Sequence, residues 1–279
     1  MTKGNVDHNT VASFGDEWKR HRQSELDAAE LERMFDDYFH IVPWERLPQD
    51  PAAFDMGTGT GRWARLVAPK VGMLDVIDAS EEALGVARDN LAAYGNVQFH
   101  HATTDSVDLP PGSFDFGYSL GVLHHIPDTR SALADCVRLV KPGGVFLVYL
   151  YYRFDNRPAW FRLVWRMSDL MRRGIYRLPP SLKSFATDLL AYTVYWPLSR
   201  LSALVEKLGL NPSAIPLSTY RQSSMATLLT DSRDRFGTPL EQRFTRKEID
   251  QMLREVGLTE IRFSERTPLW CAVGIKDSA

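Results

Sequence analysis

The 279-residue chain has little cysteine, no dominant sign of charge and no long apolar run, and each shortage excludes a class of protein. Its two cysteines, Cys136 and Cys271, stand far apart in sequence. A disulfide-stapled module or a thiolate metal site would need more of them, closely spaced, so reduced thiols and a cytoplasmic location are expected. The longest apolar patch, around 189–198, falls well short of the roughly 20 residues that cross a bilayer. The opening Met1-Thr-Lys-Gly-Asn-Val-Asp-His8 has no apolar signal core. A net charge of −2 lacks the basicity of a nucleic-acid binder, so no nucleic-acid partner is expected. There is no internal repeat and no low-complexity tract. What remains is ordinary for a globular protein, at 44% apolar and 24% charged residues. The length suits one large domain or a domain with a lid.

Residues 54–61 read Phe-Asp-Met-Gly-Thr-Gly-Thr-Gly, and Asp78 closes a second apolar run, Met73-Leu-Asp-Val-Ile-Asp. Gly57, Gly59 and Gly61 let the backbone turn sharply and approach a ligand with no Cβ in the way. A carboxylate at the tip of the neighbouring strand can accept both hydroxyls of a ribose. The pairing therefore predicts a nucleoside-containing cofactor at the carboxyl ends of parallel strands. The spacing is G-x-G-x-G, with Arg62 where a dinucleotide fingerprint carries its last glycine. Asp55, two residues before the first glycine, would repel a pyrophosphate and suits a cationic amino-acid group. Both features disfavour an NAD-dependent oxidoreductase. S-adenosylmethionine has an ammonium, a sulfonium and a ribose, and no phosphate.

At these residues the chain resembles the class I S-adenosylmethionine-dependent methyltransferases. The resemblance continues through Asp105-Ser-Val-Asp-Leu-Pro-Pro-Gly-Ser-Phe-Asp, Ser119-Leu-Gly-Val-Leu-His-His-Ile-Pro-Asp and Leu139-Val-Lys-Pro-Gly-Gly-Val-Phe-Leu-Val. It covers residues 52–150 in order and resumes at about 244–276. It implies S-adenosyl-L-methionine as cofactor, held by Asp55, Gly57, Gly59, Gly61, Asp78 and Asp105, with Ser106, Ser119 and Leu120 beside them. Asp105 matches the position whose carboxylate meets the adenine amino group.

Strands are expected near 52–57, 73–78, 97–101, 114–119, 144–150, 259–265 and 269–275. Helices are expected near 61–69, 80–93, 128–140 and 245–257, the last capped at Thr245 and ended by glycine. Alternating strand and helix implies an α/β fold with helices on both faces of a parallel sheet. The resemblance makes it a Rossmann-like, doubly wound, seven-stranded, mostly parallel sheet whose last strand runs antiparallel. Residues 1–50 read as an N-terminal leader: loose over 1–12, then Phe14 and Trp18 as a flap over the cofactor or as core, then a helix over 24–38. The methyltransferase core occupies 51–151 and 244–279. Residues 152–243 form an aromatic, partly basic insert read as a helical cap over the substrate. Three roles compete for it: extra core with solvated arginines, a substrate cap, and an interfacial helix with Trp, Phe and Leu opposite Arg that would make peripheral membrane contact.

Methyl transfer to oxygen or carbon needs alignment and a base. His124 and His125 follow the fourth strand, and His124 is preferred as base because the matching residue in related families faces the reacting centre. Tyr151, Tyr152 and Arg153 leave the fifth strand at the pocket edge; Tyr152 is a candidate catalytic residue, and Arg153 would hold a carboxylate or phosphate. His100 and His101 are strand neighbours pointing to opposite faces, so they cannot chelate together, and no metal is assigned. The expected activity is O-methylation of a small metabolite or glycan unit. C- or N-methylation of a lipid-like acceptor and a silent cofactor-binding protein are the alternatives.

Overall fold

The computed structural model describes residues 4–20 and 27–278, with the backbone alone for 16–20. Trp18, expected in the flap, and Ser24, expected to open a helix, therefore lie outside the described side chains. The chain divides into two compact units. The first contains the leader, Leu31–Asp155 and Leu240 onward. Its strands are β1 (Ala52–Met56), β2 (Met73–Asp78), β3 (Val97–His101), β4 (Phe114–Leu120), β5 (Val140–Tyr149), β6 (Leu258–Phe263) and β7 (Cys271–Lys276). The helices of the whole chain are α1 (His8–Arg20), α2 (Ala28–Phe39), α3 (Ala64–Val67), α4 (Glu81–Leu91), α5 (Thr129–Leu139), α6 (Ala159–Ile175), α7 (Pro180–Leu190), α8 (Trp196–Lys207), α9 (Met225–Gly237) and α10 (Arg246–Glu255).

The sheet runs β3-β2-β1-β4-β5-β7-β6. Every neighbouring pair is parallel except those of β7, which is antiparallel to β5 and to β6. Order reverses between β1 and β4, the switch point where a doubly wound sheet opens a crevice at its carboxyl edge. Both faces are covered, so β1 reads as a nearly continuous buried run. Its alternation sends Phe54 and Met56 into one apolar layer with Phe146 and Leu253, and Ala53 into the other with Phe116, Trp63 and Leu74. Side-chain caps start helices that flank the sheet, among them Ser80 on α4, Asp128 on α5, and the Thr245–Glu248 capping box on α10.

Two local expectations are corrected. Residues 1–12 are not loose throughout: α1 starts at His8, with Asp7 Oδ1 accepting the Thr10 N–H at 2.8 Å. Tertiary bonds order the polar leader, as Asn5 donates through its backbone to Asp105 and exchanges two bonds with the Asp128 backbone. The fifth strand, expected near 144–150, starts earlier: Lys141-Pro-Gly-Gly lies inside β5, whose pairing with β4 slips register between Phe114 and Phe116.

The second unit comprises 27–30 and Asn156–Pro239. Among its described residues it is helical, α6 through α9, with a π-helical turn at Ala191–Tyr195 joining α7 to α8. Residues 152–155 and 240–243 stay with the first unit. Tyr152 bridges Phe244, the Arg153 N–H donates to the Phe244 carbonyl, and the Trp270 indole donates to Asp155.

Candidate functional site

The glycine loop leaves β1 with Gly57, Gly59 and Gly61 all at positive φ, a path that side-chain-bearing residues rarely follow. Its amides fold back on the tip of β2: Gly57 and Thr58 donate to the Ile77 carbonyl. Asp78 joins the loop to the next helix. Its Oδ2 accepts the Gly59 N–H at 2.8 Å and its Oδ1 the Ser80 N–H at 2.9 Å. Burial pushes the Asp78 carboxyl above the ordinary range, against the pull of those amides. The carboxylate is thus held rigidly beside the loop, partly exposed, with lone pairs left for a ligand hydroxyl.

Asp55 lies inside the molecule, 1% exposed. Burial pushes its carboxyl up to about 7; the nearby Thr58 and Tyr118 hydroxyl dipoles draw it partway back without reaching hydrogen-bond geometry, and Asp78 raises it further. None of Asp55 Oδ2, Thr58 Oγ1 and Tyr118 Oη closes a hydrogen bond. An unmet buried carboxylate oxygen is costly, and a cationic donor arriving at the loop would relieve it. The residues present therefore fit an ammonium-bearing nucleoside. At Gly121 (φ 79), just past β4, an added Cβ would meet open space, so that segment leaves room at the crevice.

The other cofactor candidates, Asp105, Ser106, Ser119 and Leu120, are each held by contacts within the protein. Asp105 has both oxygens engaged by protein, with the Thr103 hydroxyl on Oδ1 and the Asn5 N–H on Oδ2, and these bonds hold its carboxyl below the usual range. Ser106 Oγ accepts the Thr103 N–H and pairs with the Thr103 hydroxyl. Ser119 is buried and donates to the Met56 carbonyl at 2.8 Å, tying β4 to the end of β1. Leu120 is buried apolar packing at the end of β4. The leader runs close to these residues. Gly15 of α1 comes so near the start of α4 that a Cβ there would lie 2.9 Å from Ser80 Oγ, and Phe14 sets its ring against His125 at 5.0 Å.

His124 and His125 occupy a buried 3-10 turn after β4. The His124 ring stacks on Tyr151 at 3.8 Å between centroids, and its Nδ1 accepts the Tyr151 N–H at 3.4 Å. The ring proton then sits on Nε2, which is buried and without a partner. Burial, with His125 and Arg243 nearby, holds this imidazole well below its ordinary range, so it is neutral at neutral pH. His125 Nδ1 donates to the Leu240 carbonyl at 2.6 Å, so in the neutral ring Nε2 is the nitrogen that carries the lone pair. Tyr152 turns to the opposite side, packing on Phe154 and Trp270, so Tyr151 and not Tyr152 joins the histidines. Arg153 is occupied by the Arg243 carbonyl and Glu248. His100 bonds to Asp75 at 2.5 Å and His101 to the Ala79 carbonyl, on opposite faces of β3.

Sequence reasoning missed the strap 240–244, which carries no motif. Gln242 receives its place from both ends, its N–H donating to the His124 carbonyl and its side chain to Ile126. Glu241 pairs with Arg243 at 2.7 Å, with side chains 1% and 10% exposed. Burial opposes the Arg243 charge but Glu241 outweighs it, and the guanidinium lies over the Tyr151 ring at 5.0 Å. The strap thereby fixes both histidines.

Comparison with known proteins bears on this geometry. Residues 54–148 match the family described as a methyltransferase domain. The ubiquinone biosynthesis O-methyltransferase of Aromatoleum aromaticum is 39% identical over 92 residues, covering 32% of this chain and 39% of the relative. That of Thiobacillus denitrificans is 40% identical over 107 residues, covering 38% and 44%. That of Sodalis glossinidius is 28% identical over 192 residues, covering 64% and 74%. The chain thus spans less than half the length of the first two relatives. A solved S-adenosylmethionine-dependent methyltransferase from Methanosarcina mazei shares the fold at a TM-score of 0.51 and 17% identity, covering 84% of this chain and 96% of that one.

Proposed function

We propose that this chain, whose residues 54–148 match a methyltransferase domain, is a class I S-adenosylmethionine-dependent methyltransferase that moves a methyl group from that cofactor to a hydroxyl of a small metabolite. The observation that carries the reading is the clasp of Asp78 by the Gly59 and Ser80 amides, beside the unmet oxygen of Asp55. When bound, S-adenosylmethionine supplies a methyl group already activated on a sulfonium. Asp78 would accept ribose hydroxyls, Asp55 would answer the ammonium, and the glycine loop would lie against the cofactor without side chains in the way.

The choice of oxygen as acceptor is supported by the O-methyltransferase relatives and by the paired histidines. The tautomers assign them separate parts. His124 offers an Nε2–H that can orient an acceptor oxygen, whereas His125 holds the basic nitrogen that can take the hydroxyl proton. This reverses the preference drawn from the family resemblance. Asp105, like Asp78, keeps lone pairs beyond its two protein bonds for a ligand donor, and its Oδ2 also docks the leader. A glycan hydroxyl is a second acceptor class that the same chemistry allows.

Calorimetry tests the cofactor. S-adenosylmethionine should bind and NAD should not; tighter binding of NAD would overturn the proposal. Methyl transfer from labelled cofactor to a panel of phenols, catechols and sugars tests the acceptor atom.

A further inference from the structure

The second unit is inside out for a helical domain in water. Among the described residues of the chain, 18 large hydrophobic side chains are exposed, and 17 of them lie between Trp160 and Leu210. Several are extreme: Leu170 is 72% exposed, Phe185 and Leu208 67%, Met167 66%. The unit's apolar core is by contrast small, centred on Tyr195, Leu228 and Phe236. Its helices meet through buried small polar residues instead. Thr187, Ser199, Ser202 and Ser232 are 0% exposed, and Ser232 donates to the Thr187 carbonyl at 2.8 Å. Small polar contacts inside and leucine outside are the pattern of helices packed in lipid.

The exposed side chains fall into stripes. On α6 they recur at Trp160, Leu163, Val164, Met167, Leu170 and Met171, one face of a helix. On α7 they recur at Leu182, Phe185 and Leu189 and continue to Tyr192. On α8 they resume at Leu201, Leu204 and Leu208. A straight α-helix would turn this last group about 100° off the α7 stripe, because one extra residue separates the two sets. The π-helical turn at Ala191–Tyr195 takes up that residue and brings both sets onto one face. The same turn keeps the buried side, Thr187 and Ala191 with Ser199 and Ser202, on one face, so the apolar surface runs unbroken along α7 and α8.

The charge names the occupant. Residues 156–239 hold 12 Lys/Arg against five Asp/Glu, in a chain whose net charge is −2. Arg162, Arg166 and Arg173 follow one another, exposed, beside the α6 stripe. A second copy docking symmetrically would set this cationic surface against itself. An anionic bilayer is complementary to both the apolar stripes and the charge, and the aromatic residues Trp160, Tyr192 and Trp196 suit the headgroup level. No described helix is long and apolar enough to cross a membrane. We infer that the 156–239 unit lies on the surface of an anionic lipid bilayer, with the α6 and α7–α8 stripes seated among the acyl chains.

Sedimentation of the full chain with phosphatidylcholine vesicles, with and without phosphatidylglycerol, tests this. The chain should pellet with the anionic vesicles and much less with the zwitterionic ones, and salt should weaken the binding. Leu170→Glu with Leu204→Glu should lower partition about a hundredfold, the loss of two leucines from the apolar phase. Both side chains are exposed, so circular dichroism and the thermal midpoint should not change. Arg162→Glu with Arg166→Glu, which takes the unit from 12 Lys/Arg against five Asp/Glu to ten against seven, should weaken the preference for anionic lipid, and an unchanged preference would overturn the inference. A chain that pellets with neither vesicle, or a Leu170→Glu/Leu204→Glu protein that pellets like the parent, would overturn the inference. So would a dimer in sedimentation velocity that dissociates in the leucine variant while no vesicle binds.

Discussion

Cofactor binding should release a proton from Asp55. Burial holds this carboxyl at about 7, so at pH 6 roughly 0.9 of the molecules carry the proton, and at pH 8 roughly 0.1 do. A cationic group brought to the unmet Oδ2 favours the ionised form, and the proton must leave. Affinity should then rise about tenfold per pH unit between pH 5 and about 7, close to 1.4 kcal/mol per unit, and level off above. Isothermal titration in buffers of different ionisation heat counts the protons directly. About 0.9 per bound cofactor is expected at pH 6, and none in Asp55→Asn. The same shift has a stability consequence of opposite sign to that of a salt-bridged carboxylate. The folded state keeps a proton that the unfolded chain has lost, so Asp55 costs stability as pH rises from about 4 to about 7, by up to roughly 4 kcal/mol. Asp55→Asn should remove that slope. Release of no proton at pH 6, or equal release from Asp55→Asn, would refute the assignment. Release that vanishes only in Asp78→Asn would move the coupling to Asp78, whose carboxyl is also raised by burial.

Three further outcomes are expected. His125→Gln should lower kcat about a hundredfold, and His124→Phe, which loses a donor and not a base, about tenfold; a larger loss at His124 would reverse the tautomer assignment. Glu241→Gln leaves the Arg243 charge buried without its partner and should cost about 3 kcal/mol in urea unfolding; a loss under about 1 kcal/mol would mean that the pair is solvated. Gly57→Ala places a methyl 2.5 Å from Val122 at a φ of 82. It should destabilise by about 2 kcal/mol or more and weaken cofactor binding, and an unchanged thermal midpoint would show that the loop yields.

The core of the fold was legible because its signals are local. A buried strand announces itself as a short apolar run, a loop at positive φ demands glycine, and a helix start demands a cap. Met73–Asp78 and Val97–His101 have the bounds that the residues implied, and Ser80, Asp128 and Thr245 cap their helices. Residues 1–12 misled because their polar composition carries no helical pattern; bonds from Asn5 to residues a hundred positions away order them.

The sequence alone determined that a glycine bend and two carboxylates meet at the ends of adjacent strands, since register and turn chemistry depend on near neighbours. Only the tertiary structure decided which carboxylate is unmet, which histidine nitrogen holds the proton and which tyrosine joins them. Those properties depend on burial and on partners such as Leu240 and Gln242, brought from across the chain by packing that no local pattern encodes. The outward-facing leucines of the second unit belong to the same class. An amphipathic stripe is written in sequence, but whether it faces core or solvent depends on what the rest of the chain leaves to cover it.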